Sequence, residues 1–387
     1  MKQKVLYMTW LSRFQCIGGS CPLTCCSAKW NISLKDEEIA CYENMEHPFR
    51  NELMDAIDKE NHCMKTRNDV CALLTEDGWC RLVRECGEDK LSATCTGFPR
   101  SLVKYGDIIE GTVEIVCPVV AGYLLEAEPI DFGYTENEVE AEEDTIDYQR
   151  YDSLPLARTF LIELVQEDPY RFVSGKVYII FSVMYKMKEL IQENMLNKEN
   201  VIRLLELYDK KEVRDEIYMQ CENLAEQYAT KGIFLQNLLI QLRSIIKEHL
   251  SEVINSDSKL SEQLGLWTSD AKELEKDLKE FSWYLKEAYP AITDHFLVYI
   301  LFLNWITLDL EQFGQVLSSR MIEWALIQIF AMSLWKQNGK IEREEYEVLI
   351  SSVDRKMSHA AKFYDELYRF IKELGKDNVA NILMVLI

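Results

Sequence analysis

Phe14-Gln15-Cys16-Ile17-Gly18-Gly19-Ser20-Cys21-Pro22-Leu23-Thr24-Cys25-Cys26 decides how the first third of this chain is read. Four thiols fall within one short loop, and Gly18 and Gly19 loosen the backbone between the first two. Thiols this close together are not four unrelated core residues. Working outward, Cys41, Cys63, Cys71, Cys80, Cys86, Cys95 and Cys117 come next, and only Cys221 lies beyond them among the 12 cysteines. Lys2 and Lys4 precede a short apolar stretch that Ser12 and Arg13 end early, so a secretory leader is not expected and a reducing, cytoplasmic location is. There disulfides are disfavoured, and a dense cysteine group binds metal or does redox chemistry. Thiolates suit zinc or the iron of iron–sulfur clusters, and four complete one zinc or one [4Fe–4S] sphere. The adjacent Cys25 and Cys26 cannot easily aim at one ion from a regular strand, so they serve two metals, or one of them supports the other.

The 387 residues exceed what one core usually serves. The expected fold is mainly α, with an irregular cysteine-rich metal-binding domain at residues 1–125 carrying short β-hairpins. After it come an acidic linker at 126–150 and an all-helical domain at 151–387. In the first domain Ser33 is an N-cap candidate for a helix to Met45, and Phe49–Lys59 reads as a second helix. Val70–Leu74 and Trp79–Val83 form a hairpin around the Asp77-Gly78 turn, placing Cys71 and Cys80 on facing strands. Ser101–Tyr105 and Ile108–Val116 form another and deliver Cys117-Pro118. Glu126–Gln149 carries carboxylates and no Lys or Arg, which reads as a solvated linker. From Leu154 onward apolar residues recur at helical spacing, as in Leu235–Leu250, Leu274–Leu285 and Tyr346–Leu374, with no repeat period.

The formal net charge of −22 makes nucleic acid and anionic membrane poor partners and favours a basic protein partner. The apolar stretch Phe296–Leu310 is interrupted by Asn304 and Asp309 and reads as a buried helix, not a span. There is no glycine-rich dinucleotide motif, Walker loop, nucleophile elbow or His-Glu-x-x-His pair. Of the five histidines, His295 in its apolar stretch reads as a core residue. The run Trp283, Tyr284, Tyr289, Phe296, Tyr299, Phe302 and Trp305 reads as core packing.

The opening stretch, with Trp30 after it, resembles the start of the flagellin lysine N-methylase family (FliB). The likeness continues through Cys71-Ala72-Leu73-Leu74, Asp77-Gly78-Trp79-Cys80, Gly87-Glu88, Leu91-Ser92, Thr94-Cys95, Phe98-Pro99-Arg100 and Cys117-Pro118. It covers roughly residues 8–125, and Phe296-Leu297-Val298-Tyr299 resembles a short helical stretch of the same family. The first half is also similar to a broader group of zinc- or iron-chelating cysteine-cluster proteins. Where the family commonly has proline after the fifth cysteine, this chain has Ala72. The resemblance implies methyl transfer from S-adenosylmethionine to lysines of flagellin, with a [4Fe–4S] centre. It implies Cys16, Cys21, Cys25, Cys26, Cys71, Cys80, Cys95 and Cys117 as metal ligands, leaving Cys41, Cys63, Cys86 and Cys221 outside. Arg100, after the Pro99 turn, is a candidate donor to cluster sulfur or to a carboxylate. The catalytic base and the S-adenosylmethionine-binding residues are not assigned. Other readings of the same residues are a metal-stabilised protein-binding module and an electron carrier.

Overall fold

The computed structural model describes residues 2–28, 30–68, 70–105, 108–138, 148–167, 173–229, 271–305 and 310–358. The chain divides into two units. Unit 1 comprises Met1–Tyr123, Phe132–Val139 and Ile350–Arg355; unit 2 holds the rest. The mainly α expectation holds: among the described residues helices dominate, with one small mixed sheet and two short ladders.

That sheet belongs to unit 1. Strand β1 (Lys2–Met8) lies parallel to β7 (Ile108–Val113) and antiparallel to β8 (Phe132–Glu138), and β6 (Arg100–Tyr105) closes a hairpin with β7. Here the linker reading of 126–150 is corrected at its centre. Lys4 stands opposite Glu136, so the acidic stretch pairs with the first strand. Opposite charges across a ladder turn a segment that reads as solvated into an edge strand. Residues 139–147 lie outside those described.

The rest of unit 1 is short elements around a small core of Leu34, Ile39, Tyr42, Phe49, Leu53, Ile57, Met64, Cys71, Leu73 and Leu82, with Cys26 and Cys80 packed against it. Helix α1 is Trp10–Arg13, α2 Asp36–Glu43 and α3 Arg50–Asp55. The helix placed from Ser33 starts instead after Lys35, whose N–H donates to Glu38 Oε2 at 2.7 Å; Ser33 bridges to Cys63. Ladders pair β2 (Ile57–Asp58) with β3 (Cys63–Met64), and β4 (Thr66–Arg67) with β5 (Val70–Cys71). The expected Cys71–Cys80 hairpin is half right. The turn exists, with Gly78 at φ 81° and Thr75 N–H on the Trp79 carbonyl at 2.9 Å. Beyond one bridge between Leu74 and Cys80, however, the chain enters helix α4 (Arg81–Cys86). Thr66, not Cys80, is the strand partner of Cys71. Later in the unit come two more short helices, α5 (Ala93–Gly97) and α6 (Pro118–Leu124).

Unit 2 is helical among its described residues: α7 (Tyr148–Glu167), α8 (Val173–Gln192), α9 (Lys198–Asp209), α10 (Lys211–Ala229), α11 (Ala271–Ala288), α12 (Ile292–Asn304), α13 (Leu310–Asn338) and the start of α14 (Arg343–Ser358). The expected helix over Leu235–Leu250 and the last part of Tyr346–Leu374 lie outside the described residues. Helix α12 buries Asp294 and His295 in its first turn, and Phe296 to Phe302 after them are apolar and buried throughout. Phe296 stacks on Trp324 at 4.4 Å, and Trp305 Nε1 donates to the Leu154 carbonyl at 2.7 Å. The aromatic run is therefore core from Phe296 onward, whereas Trp283 is 66% exposed. No described helix is long and apolar enough to cross a membrane.

Candidate metal centre

The loop from Cys16 to Ser27 is held by its own backbone. Gly18 N–H points at Cys16 Sγ at 3.4 Å, and Cys21 Sγ donates to the Leu23 carbonyl at 3.2 Å. Thr24 Oγ1 accepts from Cys26 N–H at 3.4 Å and starts a single turn over Cys25–Ser27. In that turn the two adjacent thiols interact with each other, whereas a strand would send them to opposite faces. Gly18 and Gly19 pass under the Trp79 indole; a methyl group on Gly19 would overlap it. The pair thus does more than loosen the loop: it lets the loop lie flat against the residue preceding Cys80.

Three other thiols sit where helices begin. Cys80 is the N-cap of α4, Cys117 immediately precedes α6, and Cys95 lies in α5, whose N-cap Ser92 accepts the Cys95 N–H at 3.3 Å. Amides of Leu82 and Val83 face Cys80, and those of Val119 and Val120 face Cys117. Such amides favour thiolate, but burial outweighs them. It pushes the Cys95 and Cys117 thiols up to about 11 and raises Cys80 and Cys21 as well.

Electrostatic coupling links the eight expected cysteines in two lobes. Cys26 shares hydrogen bonds with Cys25 and Cys71; these hold Cys25 and Cys71 down and drive Cys26 up. Cys80 feels Cys71 and Cys25, and Cys95 feels Cys25, Cys80 and Cys71. On the other side Cys21 feels Cys16 and Cys25, and Cys117 feels Cys21. Cys25 joins the lobes. The remaining cysteines lie elsewhere: Cys41 is exposed, Cys63 is in the β2–β3 ladder, Cys86 neighbours His47 and Met45, and Cys221 is buried in α10. Among the described residues no three His, Cys, Asp or Glu side chains form a ligating group as they stand. The chain supplies soft donors that range from exposed Cys16 to buried Cys71 and Cys117, and the donor type suits zinc or iron–sulfur chemistry.

Sequence reasoning missed one residue here. Arg355, in the Ile350–Arg355 segment of unit 1, is buried at 8% exposure. Its Nε donates to the Val116 carbonyl at 2.9 Å, and its terminal nitrogens donate to Leu23 at 2.7 Å and Thr24 at 3.1 Å. The guanidinium lies 5.3 Å from the Trp30 ring centroid, and Trp30 packs on Phe98. Its charge acts on Cys25, Cys21 and Cys117. Arg100, the residue chosen from sequence, donates to the Thr96 carbonyl at 2.9 Å and covers Phe14. The sequence signal for Arg355 is faint: one of two adjacent cations, with Lys356, in the helical stretch Ile350–Met357, next to Asp354.

These features define a mainly helical protein with a thiol-crowded N-terminal unit. The family model for the FliB lysine N-methylase C-terminal domain matches residues 158–385. The chain belongs to the FliB lysine N-methylase family. It is similar to the lysine-N-methylase of Salmonella typhimurium, 25% identical over 194 residues, 46% of each chain. The lysine-N-methylase of Salmonella choleraesuis matches to the same extent, with 25% identity over 194 residues. The flagellar biosynthetic protein FliU of Salmonella muenchen is 25% identical over 128 residues, 30% of this chain and 73% of that one. The chain thus spans about half the length of the lysine-N-methylases it matches, 46%. No solved structure matches it.

Proposed function

We propose that this protein is an S-adenosylmethionine-dependent protein-lysine N-methyltransferase acting on flagellin in the cytoplasm, with a metal centre, [4Fe–4S] or zinc, on its cysteine-rich unit. The family match over residues 158–385 carries the reading. The names of the relatives supply the reaction class, lysine N-methylation, and a flagellar setting. The cysteine-rich first unit and its donor type support the metal centre. A net charge of −22 supports a lysine-bearing partner.

In this reaction the lysine nitrogen bonds to the methyl carbon. The carbon–sulfur bond breaks, its electron pair stays on sulfur, and S-adenosylhomocysteine leaves. The amine must first lose a proton, since an unperturbed lysine near a pKa of about 10.4 is charged at neutral pH. The acidic surface that attracts the substrate also favours its charged form. Desolvation or a nearby base must therefore reverse that preference at the reacting amine. A cluster iron with an open position would supply a handle for the amino and carboxyl groups of S-adenosylmethionine. The chain's contribution to such a centre is its soft donors: Cys25, Cys26, Cys71, Cys80 and Cys95 in one lobe, Cys16, Cys21 and Cys117 in the other.

The test is mass analysis of flagellin incubated with the full chain and S-adenosylmethionine. The expected result is methyl increments on lysine. Flagellin left unmodified by metal-loaded protein would count against the methyltransferase. Metal and sulfide analysis of the same anaerobically purified sample separates iron–sulfur from zinc. Metal-loaded protein without transferase activity would favour the protein-binding or electron-carrier reading.

A further inference from the structure

Arg355 presents an electrostatic problem that the fold alone does not solve. A guanidinium remains charged in a protein, and burying a charge is expensive without a counter-charge. Its donors are spent on the carbonyls of Leu23, Thr24 and Val116, which solvate the cation but do not neutralise it. Among the described residues no carboxylate lies within ion-pair distance of it. Burial disfavours its charge, while Cys25, Cys21 and Cys117 and the neighbouring Asp354 act to favour it. Thiolates at Cys21, Cys25 and Cys117, the cysteines of the two segments it holds, would supply the counter-charge.

The carbonyls it holds lie in two chain segments. Leu23 and Thr24 belong to the loop between Cys21 and Cys25; Val116 precedes Cys117, 239 residues from Arg355 along the chain. One rigid fork thus ties two cysteine-bearing segments together from a third, and that third lies within residues 158–385. Trp30 covers the guanidinium, excluding water from one side.

We propose that Arg355 is the positioning residue of the cysteine centre: it locks the Cys21–Cys25 loop against Cys117 and balances the negative charge of the metal-bound thiolates. The claim rests on the metal-centre reading above and extends it to the C-terminal part of the chain. Ligating cysteines are deprotonated, and around zinc or an iron–sulfur core their summed charge exceeds that of the metal. A fixed cation beside them stabilises the loaded state. In a redox-active centre it also stabilises the reduced form, which carries one more electron.

The experiment compares full-length wild type with Arg355→Met and Arg355→Lys, each purified anaerobically. Metal and sulfide per chain are measured, then the rate of metal loss to a chelator, then the reduction potential if the centre is coloured. Arg355→Met should lose metal about ten- to a hundredfold faster, the usual effect of removing a partner that orients ligands. Its loaded fraction should reduce at a more negative potential. Arg355→Lys keeps the charge but not the fork. Faster metal loss with a potential close to wild type supports both roles. A potential in Arg355→Lys as negative as in Arg355→Met overturns the charge role. Wild-type chelator resistance and potential in Arg355→Met would overturn the proposal entirely. Wild type free of bound metal and sulfide would overturn the metal-centre reading and this claim with it, an outcome distinct from loaded protein indifferent to residue 355.

Discussion

Each unit buries a cation deep in its interior, and the two are handled in opposite ways. In unit 2 Lys176 is wholly buried and spends its ammonium on both Asp294 oxygens, at 2.9 and 2.8 Å, and on the Val165 carbonyl at 2.8 Å. The charge is cancelled within the helical fold. In unit 1 Arg355 meets carbonyls and thiols instead. A self-cancelling pair is a structural element, whereas a cation whose counter-charge is a group of cysteines ties stability to what those cysteines bind.

The largest effect should come from breaking the self-sufficient pair. Asp294→Ala leaves the Lys176 ammonium buried without its counter-charge, and such a loss destabilises by about 3–5 kcal/mol. Denaturant unfolding should show it, and Lys176→Met with Asp294→Leu should recover most of it. Metal content per folded chain should be unchanged. If the single variant lost metal with no change in stability, the contrast between the two cations would be wrong.

A smaller effect, read first in metal retention, is expected at Gly19. The added methyl of Gly19→Ala overlaps the Trp79 indole, so the ring must leave the loop or the loop must lift from it. Overpacking of this kind destabilises by about 1–3 kcal/mol. Faster metal loss to chelator is expected, with helical unfolding little affected. Gly19→Ala combined with Trp79→Ala removes the clash. Equal metal loss in single and double variants would show that the indole does not position the loop.

The contrast also explains which parts could be read from sequence. Cys16 to Cys26 and the later thiols announce themselves because residue type and order carry the chemistry. The Asp77-Gly78 turn is visible because Gly78 alone settles its backbone. The segment after that turn is less visible: Cys80 ends a bridge and caps a helix, and apolar residues such as Leu82 and Val83 fit either state. Strand β8 is hidden by its acidity, because its partner is strand β1 at the other end of unit 1 in sequence. Arg355 is hidden by distance: nothing in Ile350–Arg355 separates it from an ordinary helix face until Val116, Leu23 and Thr24 surround it. Local chemistry survives in one dimension, whereas charge compensation between remote segments does not.

The smallest expected effect concerns another group of unit 2. His295 is 2% exposed, and its Nδ1 lies 3.2 Å from the Leu124 carbonyl, which accepts from it. Burial lowers its pKa below the usual histidine value, against the opposing pull of that hydrogen bond, the Glu126 charge and the Glu128 backbone. The folded protein therefore holds a neutral ring where the unfolded chain takes up a proton as pH falls through about 6.5. A group whose folded pKa is depressed contributes stability above the unfolded value and loses it toward the folded one. Stability should therefore fall as pH drops from about 6.5, and His295→Gln, which can still donate to Leu124, should flatten that fall. Denaturant titrations of wild type and variant on both sides of that window measure the difference. Equal slopes would mean that the ring is protonated in place within the folded protein.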